Sequence, residues 1–308
     1  MLTFDLAPRL PAHLKFIRGL LQRLNYHFTS DPLEQQEPFD AELVKRAEKA
    51  LREMPLESEG ARAYLEVHIP RLARTIALAP RPQSTGRVLE LGCYMQITPF
   101  LERICGYKEV RGAYFGPVGR IDHKSMKFPD GEFTCEVDHF NAERDPFPYP
   151  DKHFDLVIAG EIIEHMAFDP MHLLVESHRV LIEGGYLIVT TPNIASIASV
   201  GKALDGRYSP MIYPNSYKPT GPGIEEEIGH VREYTLNELT IVVQSAGFEI
   251  VQAFTTHIEE HAGHKPLLKF LAANGYSTEN RGEQSWVLAR KRGDLPVDRY
   301  PIWIYYPA

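Results

Sequence analysis

"FDLVIAGEIIEHM", residues 154–166, joins an apolar run to a charged turn. The run "FDLVIAG" has the length and the β-branched content of a buried strand. The turn after it places Glu161, Glu164 and His165 at positions i, i+3 and i+4, which share one face of a helix. The sequence therefore predicts a strand followed by a helix whose first turn gathers two carboxylates and an imidazole.

Further short β-rich runs alternate with helical patterns from Arg87 onward. They read "RVLELGC", "EVRGAYFG", "FTCEVDHF" and "GYLIVTT", and two later ones read "FEIVQAFTTHI" and "QSWVLARK". A helix over 169–181 is marked by Asp169-Pro170 at its start and Gly184-Gly185 after its end, and "TLNELTIVVQSAG" predicts another. This alternation is typical of an α/β fold, with a parallel sheet and crossover helices on both faces.

Changes in residue pattern along the chain predict three parts. Helical spacing in "FDAELVKRAEKALREM" and "EGARAYLEVHIPRLARTIAL" predicts a helical N-terminal cap over 1–82, before the α/β domain at 83–293. Within that domain, residues 201–231 are rich in Pro, Gly and Tyr and are predicted to form a lid or substrate loop. An aromatic tail over 294–308, with Trp303, Tyr305 and Tyr306, is expected to pack on the domain or across a homodimer contact.

Composition narrows the range of partners. The 308 residues carry a formal net charge of −8, which argues against tight binding to a nucleic-acid backbone and favours a small or neutral substrate. Three cysteines without metal-type spacing indicate neither a disulfide framework nor a zinc knuckle, as in reduced cytosol. No segment reaches the roughly 18 apolar residues that span a bilayer. We therefore expect a cytoplasmic protein without a membrane partner.

The strand ends carry a family resemblance. Glu90 and Gly92 in "VLELGC", followed by "FPYPDKHFDLVIAGEIIEHM", "RVLIEGGYLIVTTPN" and "REYTLNELTIVVQSAGFEI", resemble the class I S-adenosylmethionine-dependent methyltransferases in order and spacing. The resemblance covers about residues 87–258. It implies a Rossmann-like sheet, S-adenosyl-L-methionine as cofactor, and a cofactor site built from Glu90, Gly92, Tyr94, Tyr114, Asn141, Ala142 and Gly160.

This chain departs from that family in the glycine-rich turn. Tyr94 and Gln96 stand where further glycines are expected, and Tyr114 stands where many members have an acid for the ribose. A bulky side chain there opposes close approach of the backbone to the cofactor. Either the cofactor is seated differently, with Asn141 at the adenine, or the fold has lost it and serves as a non-catalytic partner subunit.

The acidic turn predicts a metal site. Glu161 and Glu164 on one face repel each other unless a cation lies between them, although interaction with the helix dipole is an alternative explanation. The pattern resembles the Glu-x-x-Glu-His…His turn of small-RNA 3′-terminal 2′-O-methyltransferases, and ubiquinone-pathway O-methyltransferases look similar. The resemblance implies Mg²⁺ or Mn²⁺ held by Glu161, Glu164, His165 and His230, with Glu164, His165 and His230 also catalytic.

The acceptor is inferred from the lid. Aromatic rings with interspersed polar groups suit a saccharide or another polyhydroxylated small molecule, and the run from "TTPN" to "REYT" resembles bacterial methyltransferases of sugar modification. The residues concerned are Tyr208, Tyr213, Asn215 and Tyr217. We expect an O-methyltransferase acting on a sugar-like or diol-bearing hydroxyl. The alternatives are a Hen-type RNA 2′-O-methyltransferase and a metal-independent enzyme with His165 as base.

Overall fold

The computed structural model describes residues 39–56, 58–206, 209, 211, 229–258, 264–301 and 304–305. Most of the predicted lid, with Tyr208, Tyr213, Asn215 and Tyr217, lies outside the described residues, as do the first 38 residues, Trp303 and Tyr306. Within the described ranges, no helix is long and apolar enough to cross a membrane.

Seven α-helices lie in the described ranges. They are α1 (Ala41–Arg52), α2 (Glu59–Leu78), α3 (Thr98–Arg103), α4 (Pro170–Val180), α5 (Ile197–Asp205), α6 (Leu236–Ser245) and α7 (His264–Ala273). The side chains of Asp40, Ser58 and Thr235 accept backbone N–H bonds at the starts of α1, α2 and α6. The two helices predicted from apolar spacing before residue 82 are thus present as α1 and α2.

Eight strands form one sheet in the order β3-β4-β2-β1-β5-β6-β8-β7. Their bounds are β1 Arg87–Leu91, β2 Glu109–Tyr114, β3 Ile121–Phe128, β4 Gly131–His139, β5 Phe154–Gly160, β6 Leu181–Pro192, β7 Phe248–Thr256 and β8 Gln284–Lys291. The five strands from β4 to β6 run parallel, whereas β3, β8 and β7 pair antiparallel. The predicted Rossmann-like α/β fold is confirmed.

The chain order places a crevice beside β1. From β1 the chain continues to β2 on one side, and it later returns to β5 on the other. In such sheets, ligands bind beyond the carboxyl ends of the strands at this switch in direction. Leu91, Gly160 and Pro192, which end β1, β5 and β6, therefore border one candidate site.

Two apolar clusters cover the two faces of the sheet. The first packs α1, α2 and α3 against Trp286, and the second packs α4 and α6 against Val157. A buried carboxylate, Asp155 of β5, fastens the segment that enters β1, because it accepts backbone N–H bonds from Gln83, Thr85 and Gly86 at 2.7–3.0 Å. These contacts fix the starts of β1 and β5 relative to each other.

Several elements differ from the expectations. Strand β3 was not predicted, because its side chains alternate without a buried face at the sheet edge. Residues 201–205 belong to α5 rather than to a loop, and α7 occupies the connection between β7 and β8. Strand β6 begins at Leu181, so Gly184-Gly185 lies inside a strand. None of these differences moves the candidate site.

The described part of the tail packs on the domain. The hydroxyl groups of Tyr305 and Tyr300 donate to Asp169, the residue that caps α4, at 2.8 and 3.2 Å. The two rings contact each other edge to face. A homodimer contact through the tail stays a prediction.

Candidate active site

The turn after β5 differs from the predicted helix. Glu161 has a φ of 55°, in the left-handed region, and only Ile163–His165 forms a single 3₁₀ turn. The backbone N–H of Glu161 instead donates to Thr190 in β6. The prediction that a helix starts here and carries both carboxylates on one face is therefore wrong.

Glu161 is turned toward the sheet. One of its carboxylate oxygens, Oε1, accepts hydrogen bonds at 2.7 Å from the Thr190 hydroxyl and at 2.7 Å from the Gln284 amide. It does not belong to the group of potential metal ligands whose atoms lie close together. The structure thus leaves Glu161 outside the predicted metal cluster, because β6 and β8 offer it two donors.

Glu164 forms the floor of the site. Its side chain is fully buried, and its Oε2 accepts a hydrogen bond of 2.9 Å from the Thr191 hydroxyl. Its Oε1 is buried without a hydrogen-bond partner in the described structure. The same oxygen lies 3.9 Å from Nε2 of His165 and 3.9 Å from Nε2 of His230. The structure therefore brings three of the four predicted ligands together.

One imidazole comes from His165, directly after Glu164, and the other from His230, far along the chain. Their ring centroids are 5.1 Å apart, nearly perpendicular, and each side chain is about one-third exposed. His230 is held by Glu233, whose Oε1 lies 3.1 Å from Nδ1 of the ring. The backbone N–H groups of Val231 and Arg232 donate to the carbonyl of Glu164 at 2.7 and 3.1 Å. The segment around His230, at the end of the predicted lid, is thus bound to the turn after β5.

Burial is the main cause of the shifted pKa of Glu164. It raises the pKa of Glu164 well above its usual value, and the neighbouring charge of Glu161 raises it further, while the Thr191 hydrogen bond and the positive charge of Arg71 oppose the shift. Arg71 belongs to α2, which also brings His68 close to Glu161. Burial, followed by the Arg71 charge, lowers the pKa of His68. Helix α2 therefore contributes positive charge to the site.

A cleft of about 100 Å³ lies between α2 and the ends of β7 and β8. Its lining includes His68 and Arg71 on one side and Gln284 and Trp286 on the other. Gln284, which lines this cleft, also donates to Glu161, so one side chain joins the lining of the cleft to the turn after β5.

The cluster has the donor set that a divalent cation prefers. Two ligands with bonds of about 2.1 Å to one ion lie about 3.0–3.4 Å apart as neighbours and at most about 4.2 Å apart, and the two distances to Glu164 Oε1, 3.9 Å each, fall between these values. A buried carboxylate oxygen without a partner is costly, and an ion beside it removes that cost. The contact between Glu233 and Nδ1 of His230 leaves Nε2 to face the cluster. The residues present fit an ion.

The turn after β1 keeps one feature of a cofactor loop. Gly92 has a φ of 69°, and a Cβ there would lie 3.2 Å from the side chain of Ile162. Glu90 is buried and accepts a hydrogen bond of 2.5 Å from Thr98, and burial raises its pKa well above the usual value. Gly92 therefore has a backbone conformation that favours glycine and packs closely against Ile162, whereas Glu90 binds the start of α3.

Tyr94 and Tyr114 contact each other across the ends of β1 and β2. The hydroxyl of Tyr114 donates to that of Tyr94 at 3.1 Å, and the ring centroids are 5.2 Å apart. Tyr94 is 55% exposed, so its ring lies at the mouth of the turn and not in the core. The two tyrosines therefore close the outer side of the turn after β1 with their rings and hydroxyl groups.

The predicted adenine contacts are only partly available. The side-chain oxygen of Asn141 accepts the backbone N–H of Glu143 at 2.9 Å and so closes its own turn. Phe140, the residue before Asn141, is buried against Phe147 in the second core cluster. Ala142 is partly buried beside that cluster, and Gly160 pairs with Thr190 at the end of β5.

Sequence reasoning missed four residues that shape the site: Arg71, Thr191, Glu233 and Gln284. Arg71, Thr191 and Gln284 act on partners far away along the chain, so no local pattern pairs them, whereas Glu233 lies only three residues after its partner His230. One signal was visible, since "TTPN" places two hydroxyl groups at the end of β6. His172 and His178 carried no functional prediction. Nε2 of His172 lies 2.9 Å from the backbone carbonyl oxygen of Asp145. His178 is buried, and this burial lowers its pKa to about 4.

The chain is similar in sequence or fold to known methyltransferases. The "Probable S-adenosylmethionine-dependent methyltransferase" of Mycolicibacterium smegmatis is 32% identical over 130 residues, or 42% of this chain and 40% of that protein, so the match spans less than half of the relative. A Thermotoga maritima "SAM-dependent methyltransferase, possible histamine N-methyltransferase" has 20% identity and a TM-score of 0.44, and covers 76% of this chain and 95% of its own. A Haloferax volcanii complex of the "Trm112 methyltransferase activator and the putative methyltransferase" has 13% identity and a TM-score of 0.46, and the match covers 76% of this chain and 95% of that one.

A family profile settles the affiliation. The profile described as "Methyltransferase domain" matches residues 63–253. This stretch begins in α2 and ends in β7, so it includes the turn after β1, the Glu164 cluster and the Arg71 side of the cleft. Because the match extends over more than half of the sequence, the chain belongs to the methyltransferase domain family.

Proposed function

We propose that the chain is an S-adenosylmethionine-dependent O-methyltransferase that acts on a hydroxyl of a sugar-like or other diol-bearing small molecule with the help of a divalent cation. Membership of the methyltransferase domain family supports methyl transfer and S-adenosylmethionine as the methyl donor. The observation that carries the metal-assisted form is the buried, unpartnered Oε1 of Glu164, which faces two imidazole nitrogens.

Three residues would hold Mg²⁺ or Mn²⁺: Glu164, His165 and His230. Glu161 is not needed in this set, since its Oε1 is bound by Thr190 and Gln284. When bound, such an ion lowers the pKa of an acceptor hydroxyl and fixes its orientation. Three protein ligands leave positions free for two neighbouring oxygens of a diol, which is why a polyhydroxylated acceptor is favoured.

The transfer step itself also requires a route for the proton of the acceptor hydroxyl. Methyl transfer forms a carbon–oxygen bond, breaks the bond between the methyl carbon and sulfur, and releases the hydroxyl proton. In the metal-assisted form both imidazoles would be ligands, so the proton passes to water, whereas in a metal-free site a partly exposed imidazole of this pair is placed to accept it. The rigid strand ends and the backbone bonds from 231 and 232 to Glu164 keep these groups in position.

One observation favours a second candidate, a metal-independent methyltransferase. The raised pKa of Glu164 suits a neutral carboxyl group, which needs no cation to offset a buried charge. In that case His165 acts as a plain base and Glu164 only supports the turn. The two candidates differ in their response to chelation.

The test uses the full chain stripped with EDTA. Calorimetry with S-adenosylmethionine first establishes cofactor binding, and absence of heat at high concentration would indicate a non-catalytic subunit. Transfer of a labelled methyl group is then measured to saccharides and catechols, with and without Mn²⁺. We expect Mn²⁺ to restore activity to the native chain and not to His230→Asn, while His123→Asn, at an exposed histidine, behaves as the native chain. Full activity after chelation would select the metal-independent candidate.

A further inference from the structure

A second group of possible metal ligands lies outside the candidate active site. His257 follows the last residue of β7, Glu283 precedes the first residue of β8, and His264 opens α7 between them. Each residue offers one ligand atom, and these atoms all lie within 4.8 Å of one another. We refer to His257, His264 and Glu283 as the strand-end cluster.

One carboxylate oxygen of Glu283 has a hydrogen-bond partner in the described structure and the other has none. Its Oε2 lies 3.2 Å from Nδ1 of His257 and accepts the backbone N–H of Ile258 at 3.1 Å. Its Oε1 is buried and has no hydrogen-bond partner in the described structure. A buried carboxylate oxygen without a partner carries a desolvation penalty, which a cation at this point would remove.

The backbone holds this carboxylate in place. The carbonyl of Glu283 accepts the N–H of Asn193 at 2.8 Å, and the side-chain amide of Asn193 donates to Gly282 at 2.7 Å. A Cβ at Gly282 would lie 2.5 Å from the backbone of Thr256, so β7 and β8 approach each other closely here. Glu283 is therefore fixed beside His257 by the strands, and a ligand need not order it.

The second imidazole comes from a different element. The ring of His264 lies 5.8 Å from that of His257 between centroids, with 39° between the planes. Since α7 contacts α5 through Leu267 and Gly201, the helix is anchored on its other side as well. The cluster thus joins the end of β7, the start of α7 and the start of β8 at one point.

We propose that the strand-end cluster binds a divalent transition-metal ion of the zinc type. Two imidazoles and a carboxylate are a donor set that such ions prefer, with water completing the coordination. The ion would fasten α7 to the edge of the sheet. Gln284, next to Glu283, donates to Glu161, so the ion would also steady the strand start beside the candidate active site without sharing a ligand with it. This inference holds whatever reaction the chain performs.

The test separates the two clusters. In the full-length Glu164→Gln variant, stripped with EDTA, the first cluster has lost its carboxylate, and Zn²⁺ is titrated by calorimetry. We expect one remaining equivalent of Zn²⁺ to bind. Adding His264→Asn, or separately His257→Asn, should weaken binding at least about tenfold, since even a supporting residue of a metal site is commonly worth that much.

The matched control is His123→Asn in the same background. His123 also lies beside a carboxylate, 3.6 Å from Glu136, and is 77% exposed, but among the described residues it belongs to no group of possible metal ligands. This variant should bind Zn²⁺ unchanged. Zinc X-ray absorption of the Glu164→Gln protein should show two imidazole ligands, independently of how the other variants fold. Fewer imidazoles, no bound zinc, or a loss below tenfold in both histidine variants would overturn the proposal.

Discussion

Replacing Glu164 by glutamine removes the one charge on which the proposed cation site depends. The substitution keeps the size of the side chain, but it converts the unpartnered Oε1, 3.9 Å from both imidazole nitrogens, into part of a neutral amide. The native chain should be stabilised by a cation, because an ion that binds only the folded state adds stability by mass action. Glu164→Gln should not be.

The size of this effect follows from linkage. At a Mn²⁺ concentration of 100 times Kd, binding contributes about 2.7 kcal/mol. For a domain of this size, that corresponds to an increase in Tm of roughly 5–10 °C. Thermal unfolding with EDTA and with 1 mM Mn²⁺ measures it. The matched control is Glu136→Gln, at a half-exposed glutamate remote from the turn, which should keep the full increase.

Without metal, the order of stability of the native chain and Glu164→Gln should be reversed. Because the folded-state pKa of Glu164 is raised, its contribution to stability is fully present below pH 4.5, the ordinary value, and is lost as pH rises through the folded pKa. Metal-free Glu164→Gln lacks this loss and should be more stable than the native chain at pH 8, by about 1–3 kcal/mol. An equal Mn²⁺ response in both proteins would refute the reasoning.

Four further outcomes are expected. Glu161→Gln should retain the Mn²⁺-dependent increase in Tm, because that residue lies outside the cluster; complete loss would show that it is a ligand. Glu233→Gln should weaken Mn²⁺ binding about 10–100-fold in calorimetry, since it orients His230. Gly92→Ala should cost about 1–3 kcal/mol in denaturant unfolding and weaken S-adenosylmethionine binding, because its φ is 69°; unchanged values would argue against a strained turn. Asp155→Ala should cost about 2–4 kcal/mol by leaving three backbone N–H groups unpaired, and a loss below 1 kcal/mol would contradict this.

The parallel core of the fold was predictable, because each of its strands contains a stretch of buried apolar residues. The strand over 154–160 is buried along nearly its whole length, which produces a continuous apolar run in the sequence. The antiparallel edge was not predictable in the same way. Strand β3 pairs with β4 through its backbone while its side chains stay largely exposed, so "IDHKSMKF" carries no hydrophobic signal.

The candidate site was predictable in its residue types but not in its geometry. Three of the four proposed ligands converge, including His230 from far along the chain. The helical face expected for Glu161 does not form, because that residue adopts a left-handed backbone conformation and finds donors on β6 and β8. Donors such as Gln284 become neighbours only through the order of strands in the sheet, and a single sequence does not state that order.

The most direct test is a crystal of the full chain soaked with S-adenosylmethionine and Mn²⁺, with data collected at the manganese absorption edge. The account predicts an anomalous peak about 2.1–2.3 Å from Glu164 Oε1 and from one nitrogen each of His165 and His230. A map without a peak at that position, in a crystal where the cofactor is bound, would contradict it.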